Sequence, residues 1–144
     1  MSNLLTFMKY EEQLICELVE LAESQQNALI SYNIKELEKV SLNQSEISKK
    51  LKEAEEQRMK YFMSWLGISR KEAQELKISA LENKFSTDEA SELNNLKHSI
   101  KTLVTKLNLY NSMNRALANR GINSTRELLY MFSNGNNYVC NVKV

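Results

Sequence analysis

The chain has 144 residues, of which 42% are apolar and 26% are charged, and its formal net charge is +1. This length suits one domain, and the apolar content and balanced charge exclude a chain that is disordered throughout. The sequence contains no Pro and three Gly, too few turn residues for most sheets or loop-rich folds. Leu, Glu, Lys, Gln and Ala favour helices, so the composition predicts long helices.

Apolar residues at steps of three and four predict two long helices in the first half of the chain. The first runs from residue 4 to about residue 31, and the second runs from residue 34 to about residue 66. Asn33 stands at the N-cap position of the second helix, with Glu36 three residues later in the capping-box position. Gly67 is predicted to adopt the left-handed conformation that ends many helices. The predicted buried faces comprise Leu4, Phe7, Met8, Leu14, Ile15, Leu18, Leu21, Ala22, Ala28 and Leu29, followed by Ile34, Leu37, Val40, Ile47, Leu51, Ala54, Tyr61, Phe62 and Trp65.

Two further capping boxes predict a short helix and a last long helix. Ser69 with Glu72 opens the short helix, within residues 69–81, and Ser86 with Glu89 opens the last one. The last helix continues to about residue 133. Its apolar residues form a heptad seam, the pattern of knobs-into-holes packing. The seam consists of Leu93, Leu96, Ile100, Leu103, Leu107, Tyr110, Asn114 and Leu117, and its continuation reaches Gly121, Ser124 and Leu128.

These elements predict an all-α fold, an antiparallel helical bundle or coiled coil of three long helices plus a short one. At about 1.5 Å per residue, the three long helices would be roughly 40, 50 and 70 Å long. The last helix would therefore project roughly 20 Å beyond its partners. Its projecting end is rich in Leu, Met and Phe, whose burial is worth about 1.5–3 kcal/mol for each side chain.

Two interpretations of this apolar end follow. In the first, the helix breaks near Gly121 and folds back onto the bundle, with Asn123 or Ser124 as the cap of a separate short helix. In the second, the segment contacts another chain. Asn111 and Asn114 also allow two interpretations, because Asn in a heptad seam specifies register or partner orientation, whereas Asn111 is simply solvated if Asn114 alone faces inward. The candidate partner-binding residues are Asn111, Asn114, Leu117, Ile122, Leu128, Leu129, Met131 and Phe132.

Charge is distributed unevenly along the chain. Residues 1–33 carry five Glu against Lys9, a net of −4, whereas residues 97–144 carry seven Lys or Arg against Glu127, a net of +6. An acidic first helix packed beside a basic last helix explains this asymmetry most simply. The alternative is a basic patch for nucleic acid, but the basic residues are dispersed rather than clustered.

No arrangement of residues in the sequence predicts catalysis or metal binding. His98 is the one histidine, and Asn95 stands where a di-iron bundle requires Glu three residues earlier. Cys16 and Cys140 are too far apart to form, with one His, a zinc site of ordinary spacing. We therefore expect a non-enzymatic protein with no cofactor, in which His98 lies on the solvated surface.

The cysteines and the N-terminal residues favour a cytoplasmic protein. Cys16 falls on the predicted buried face of the first helix, and Cys140 lies far away near the end of the chain, so both thiols are expected to be free. Glu11 and Glu12 come too early for a signal peptide. The sequence has no run of about 18 apolar residues, so we expect no membrane insertion.

The order of these elements resembles one known family. An acidic amphipathic helix is followed by "LISYNIKELEKV", in which a small turn and an Asn cap precede spaced Leu residues. The second helix ends in "RMKYFMSWLGIS", and the last carries "LNLYNSMNRAL", with the spacing Asn-x-x-Asn-x-x-Leu. A double Leu and a short Tyr-containing tail follow. In order and length, nearly the whole chain resembles the FlgN family of flagellar export chaperones.

The resemblance implies a cytoplasmic chaperone that holds hook-associated proteins before secretion through the flagellar type III export apparatus. Its clients would be FlgK-like and FlgL-like proteins, whose premature assembly it would prevent. The family's client-binding region lies in the C-terminal part, which here corresponds to the last helix beyond Asn114 and to the tail. Many export chaperones are acidic, whereas this chain is near neutral and is basic at its C-terminal end.

The prediction for the whole chain is one all-helical chaperone domain over residues 1–133, with residues 118–133 as the client-binding segment and residues 134–144 as a flexible tail. We expect a monomer or a homodimer that binds no nucleic acid. The alternative function is a homo-oligomeric coiled-coil interaction module, followed by a basic helical nucleic-acid binder.

Overall fold

Three long helices and one short helix make up the structure, a computed structural model that describes residues 2–76, 81 and 83–135. These residues contain no β-strand. The all-α class and the three long helices with one short helix are therefore confirmed. The helices are α1 (Ser2–Ile30), α2 (Ile34–Leu66), α3 (Arg70–Glu75) and α4 (Thr87–Gly135).

Helix α1 is the shared neighbour of the other two long helices, because it packs along both α2 and α4. Near its start, Lys9 forms an ion pair with Glu92 of α4. Near its end, the carbonyl of Ala22 accepts a hydrogen bond of 2.8 Å from Asn114 of α4. Helices α1 and α4 therefore run in the same direction, and α2 runs antiparallel to both. We call the end at which α1 and α4 begin the base, and the opposite end the apex.

The predicted N-cap and left-handed C-cap of α2 and the predicted capping box of α3 are confirmed, whereas at α2 only the Asn33 half of a capping box is present. The backbone N–H of Glu36 donates to the Asn33 side chain over 3.2 Å, which caps α2. Gly67 has a φ of 64°, the left-handed conformation predicted for it. Ser69 and Glu72 form a reciprocal capping box at α3. Helix α3 ends at Glu75, earlier than predicted, and residues 77–80 of the predicted helix lie outside the described residues.

The turn between α1 and α2 places a bulky residue in a left-handed conformation. Tyr32 has a φ of 55°. The N–H of Asn33 donates to the carbonyl of Ala28 over 2.9 Å, and the N–H of Tyr32 donates to the carbonyl of Leu29 over 3.4 Å. This pair of bonds is the Schellman motif, in which Gly is the usual left-handed residue. A residue with a Cβ in this conformation costs about 1–2 kcal/mol.

The base of the bundle is closed by an apolar core to which α1, α2, α3 and α4 all contribute. A row of aromatic rings lies beside it, with centroid separations of 5.5 Å for Phe7 and Tyr61, 5.6 Å for Tyr61 and Trp65, and 6.1 Å for Trp65 and Phe85. Such ring pairs add about 0.5–1.5 kcal/mol each beyond their buried area. The buried residues of the core are Leu4, Leu5, Met8, Phe62, Ala73, Leu81, Leu93 and Leu96.

Two side chains that the sequence placed on buried faces are exposed instead. Cys16 is exposed, because the buried face of α1 runs through Ile15, Leu18 and Ala22, and one residue corresponds to a rotation of about 100° around the helix. The prediction of a buried Cys16 is therefore wrong. Ile34 is also exposed, because it opens α2 at the apex, where no described residue covers it.

A carboxylate lies within the buried face of α1. Glu11 is buried, and its Oε1 lies 3.1 Å from Nε of the half-buried Arg58 on α2. These two atoms are aligned too poorly for a hydrogen bond, and neither has another hydrogen-bond partner among the described residues. Burial raises the pKa of Glu11, Arg58 partly offsets that rise, and the nearby Glu55 adds to it.

Higher in the bundle, a polar layer joins the three long helices. Asn114 of α4 is buried, and its Nδ2 donates to the Ala22 carbonyl over 2.8 Å and to Oε1 of Gln25 over 3.2 Å. The same Gln25 oxygen accepts a bond of 3.1 Å from Nε2 of Gln44 on α2. Asn111 is exposed. The interpretation in which Asn114 alone faces inward is therefore confirmed.

The buried carboxylate generates a prediction about pH. Because the pKa of Glu11 is higher in the folded chain, its contribution to stability is complete below the unfolded pKa and is lost as pH rises through the folded pKa. We expect Glu11→Gln to abolish that decline and to raise the free energy of unfolding at pH 7. Urea unfolding between pH 4.5 and pH 7 measures this, with Glu20→Gln on the exposed face of α1 as the control. A less stable Glu11→Gln protein at pH 7 would show that attraction to Arg58 outweighs burial.

The polar layer generates a second prediction. Asn114→Ala removes two hydrogen bonds and leaves a void, so we expect it to lower the free energy of unfolding by about 1–3 kcal/mol. The matched control is Asn111→Ala, one helical turn away on the exposed face, which we expect to change it by less than about 0.5 kcal/mol. Thermal or urea unfolding measures both variants. Equal effects of the two substitutions would contradict a structural role for Asn114.

Candidate functional site

Helix α4 continues without a break through Gly121 and ends at Gly135. Of the two interpretations that the sequence left open, a break near Gly121 with Asn123 or Ser124 as a new cap is therefore excluded. A Gly inside a helix costs about 1 kcal/mol relative to Ala, which flanking helix-forming residues can offset. The apolar end of the helix is not folded back onto the bundle.

The end of α4 extends beyond its neighbours at the apex. Asn114 is level with Ala22, as their hydrogen bond shows. From that level α1 has eight more residues to its end at Ile30, whereas α4 has 21 more to Gly135. The difference corresponds to about 20 Å of helix. We call residues 121–135 the projecting segment, and its length confirms the mismatch that the sequence predicted.

The projecting segment exposes large apolar side chains. Ile122, Leu128, Met131 and Phe132 have exposed fractions between 51% and 67%. Tyr130 is exposed as well, and Leu129 is half-buried. Single exposed apolar residues are ordinary, but a contiguous group of this kind marks an interaction surface.

The other predicted site residues lie lower on α4. Asn111 is exposed on the bundle wall, and Asn114 is sealed inside it by its bonds to α1. Leu117 is half-buried where α4 leaves the polar layer. The structure therefore gives Asn114 a contact within the chain rather than a place on an accessible surface. It brings Leu117 and Ile122 together in one groove, whereas Leu128, Met131 and Phe132 lie farther out.

This groove lies between α4 and the α1–α2 turn, and has a volume of about 560 Å³. Its two walls are mostly apolar, and it is open to solvent, because Tyr32 and Ile34 are 80% and 69% exposed. We call it the apical groove. It is lined by Leu29, Tyr32, Ile34, Leu37, Leu117, Ala118, Gly121, Ile122, Thr125 and Arg126.

The wall formed by the α1–α2 turn was not predicted as part of the site. The pattern assigned Leu29, Ile34 and Leu37 to core faces, because their spacing matches the buried stripes. One signal could have identified the wall: "LISYNI" has apolar residues on both sides of the break and Tyr32 in place of the usual Gly. A shallow depression beyond Ile34 and Leu37 extends the same apolar surface along α2 as far as Leu42.

The charge on the apical groove comes from α4. Among the described residues, Arg126 is the one charged residue that lines it. Arg115 shares the same edge of α4, because it lies seven residues before Ile122 and Arg126 lies four residues after it. Across the described chain, neither Arg forms an ion pair. Helices α1 and α4 are adjacent, as the charge asymmetry predicted, but the ion pair between them joins the basic Lys9 of α1 to the acidic Glu92 of α4.

Other kinds of site are missing from the part of the chain that the structure describes. No three His, Cys, Asp or Glu side chains there are grouped to hold a metal ion. His98 is exposed on α4, as predicted. None of the described helices combines the length and the hydropathy that are needed to cross a bilayer. The apical groove and the projecting segment are therefore the candidate functional surface.

Comparison with known proteins identifies a family for the chain. The model of one family, described as FlgN protein, matches residues 1–139. No curated protein and no solved structure matches the chain significantly. FlgN proteins are non-enzymatic, cytoplasmic chaperones, and the family match covers all four helices. The resemblance found in the sequence is confirmed: the chain belongs to the FlgN family and is a flagellar export chaperone for hook-associated proteins.

Proposed function

We propose that the chain binds FlgK-like and FlgL-like clients through the projecting segment of α4 and delivers them from the cytoplasm to the export apparatus. Residues 1–133 then form the chaperone domain, and residues 118–133 contain the client-binding segment. Of the proposed tail, residues 136–144 lie outside the described residues. The observation that carries the proposal is the exposed apolar end of a helix that outreaches its neighbours by about 20 Å.

The energetics favour an external partner for this segment. Burying one Leu, Met or Phe side chain stabilises a complex by about 1.5–3 kcal/mol. The projecting segment offers Leu128, Met131 and Phe132 within five residues, and all three are exposed in the isolated chain. Met repacks easily, because its side chain is unbranched and polarisable, so Met131 suits a surface that accepts more than one client.

In the proposed mechanism, binding covers the apolar residues that a client segment needs for assembly and orders that segment. An amphipathic client segment docks its apolar anchors, spaced i, i+3, i+4 and i+7, against the exposed apolar side chains of α4. Covering these anchors prevents the client from using them for assembly. Ordering the client segment costs conformational entropy, which keeps the affinity moderate and permits release at the export apparatus.

The lower part of the bundle holds the projecting segment in place. An isolated helix of about 15 residues is only marginally stable in water. Here the segment continues a helix that is packed against α1 and tied to it through Asn114. The packed part therefore provides the nucleus from which the unpacked part extends, and the binding side chains are presented on a preformed helix.

Self-association through the same seam is less favourable than client binding. A coiled-coil dimer requires apolar knobs at successive seam positions. Beyond Leu117 the seam reaches Gly121 and Ser124 before it reaches Leu128. Two successive positions therefore lack an apolar knob, which supports a monomer in the unliganded state.

Point substitutions in the projecting segment test the proposal. We expect Leu128→Ser and Phe132→Ser each to weaken binding of FlgK-like and FlgL-like proteins from the same genome by about tenfold or more, which is about 1.4 kcal/mol. The reason is the loss of buried apolar area in the complex. Isothermal titration calorimetry with the purified client measures the effect.

The matched control is Leu109→Ser, which removes an equally exposed Leu from the same helix, about 28 Å below Leu128. We expect all three variants to keep the thermal midpoint of the parent, because surface changes rarely exceed about 0.5 kcal/mol. Unchanged client binding in Leu128→Ser and Phe132→Ser would rule out the projecting segment as the binding site.

A further inference from the structure

We infer that the apical groove binds an amphipathic helix that carries acidic residues along the edge that faces α4. This inference rests on the proposed function and deepens it, because it adds the α1–α2 turn as a second wall and specifies the charge of the partner. The groove is a joint feature of two separate parts of the chain, since Tyr32 and Ile34 face Ala118 and Ile122 across it.

The shape of the surface fits a helix. The α4 wall of the groove continues outward as a stripe in which residues follow one another at helical steps of four, three, four and three. The groove is open rather than enclosed, so its occupant keeps one face in solvent. A second helix laid along this stripe would take a place beside α4 above the first turn of α2. The stripe consists of Ala118, Ile122, Thr125, Leu129 and Phe132.

The charge of the surface fits an acidic edge. Arg126 lines the groove, and Arg115 lies on the same edge of α4. Both are exposed, and no described residue forms an ion pair with them. On the other wall, Glu38 lines the depression that adjoins the groove on α2. An acidic edge is therefore attracted to the two Arg residues of α4 and repelled by Glu38, which favours one rotation of the bound helix about its own axis.

The α1–α2 turn supplies an independent argument for the second wall. Tyr32 is in a left-handed conformation that disfavours every residue with a Cβ, and it leaves its ring in solvent. Gly at this position would remove the strain, so the fold itself gains nothing visible from Tyr. Residues held in such conformations cluster at ligand-binding sites. A ring presented at the mouth of an apolar groove is suited to cover a bound helix.

The experiment measures binding of two synthetic probe peptides to the full chain by fluorescence anisotropy. Both are amphipathic helices of about 20 residues with Leu at i, i+3, i+4 and i+7, long enough to span about 30 Å. One carries Glu along one polar edge, and the other carries Lys at the same positions. We expect the Glu peptide to bind at least tenfold more tightly than the Lys peptide, and to weaken as salt is raised.

Three variants test the two walls separately. We expect Tyr32→Gly and Ile34→Ser each to weaken the Glu peptide at least fivefold, and Tyr32→Gly to keep or raise the thermal midpoint because it relieves strain. We expect Arg126→Glu to weaken the Glu peptide and to strengthen the Lys peptide. Arg120→Glu makes the same change of charge on another face of α4 and serves as the control.

Several results would overturn the inference. It fails if the Glu peptide does not bind below about 100 μM, if Tyr32→Gly binds it as well as the parent does, or if Arg126→Glu affects both peptides alike. It also fails if light scattering gives twice the chain mass of 16.7 kDa and Ile34→Ser restores the single mass, because a second copy then occupies the groove. An oxidised Cys16→Ser, Ile34→Cys double variant that joins position 34 to Cys140 within one chain would identify the chain's own end as the occupant.

The hook-associated clients separate this inference from the proposed function. Clients that lose affinity for Leu128→Ser but bind Tyr32→Gly and Ile34→Ser normally would leave the proposed function intact and exclude the groove. Clients that are insensitive to both Leu128→Ser and Phe132→Ser would instead overturn the proposed function. Loss of affinity in both sets of variants supports one continuous surface from the groove to the tip of α4.

Discussion

The length of α1 determines how much of α4 the chain can cover. Helix α1 is the shared neighbour of α2 and α4, and it ends at Ile30. Below that level, α4 packs its buried and half-buried seam residues against the bundle and is held in register by Asn114. Above that level, the same helix continues beyond the ends of the other described helices. The exposed end is therefore a consequence of unequal helix lengths rather than of a locally unusual sequence.

The two ends of the bundle are built differently. The base is closed by large apolar residues and a row of aromatic rings, which anchor the start of α1, the end of α2 and the start of α4. The polar layer of Asn114, Gln25 and Gln44 stands between this core and the apex. Hydrogen bonds are directional and apolar contacts are not, so the layer fixes the relative height of the three helices. The position of α4 along the bundle axis in turn determines which of its residues extend beyond the apex.

Periodicity and capping residues predicted most of the fold. Asn33, Gly67 and Ser69 mark helix ends through local hydrogen bonds or a local φ angle, so their roles can be read from short stretches of sequence. The heptad seam predicted the contact face of α4 as far as Leu117. The sequence left a break near Gly121 open, because "GINSTRE" contains a helix breaker and possible caps, whereas continuation depends on the summed propensity of a long helix that is already nucleated.

The site could be predicted only in part. The apolar composition of residues 122–132 identified the projecting segment, because mismatched lengths follow from counting residues. The sequence carries a signal for one wall of the apical groove but not for the groove itself, because the groove exists only where the α1–α2 turn stands opposite α4, and that juxtaposition depends on tertiary packing. Glu11 also depends on tertiary packing. Its spacing places it on the buried face, but only the packed structure shows Arg58 beside it.

The two walls of the apical groove have a thermodynamic consequence for the bundle itself. One wall belongs to the hairpin of α1 and α2, and the other belongs to α4. A bound helix that contacts both walls therefore connects the hairpin to α4 non-covalently, at the end opposite the aromatic base. Because such a helix binds only the folded arrangement, saturation at about 100 times its dissociation constant adds about 2.7 kcal/mol to the resistance of the chaperone to unfolding. The bound client therefore stabilises the chaperone against unfolding, while the chaperone covers the apolar residues of the client.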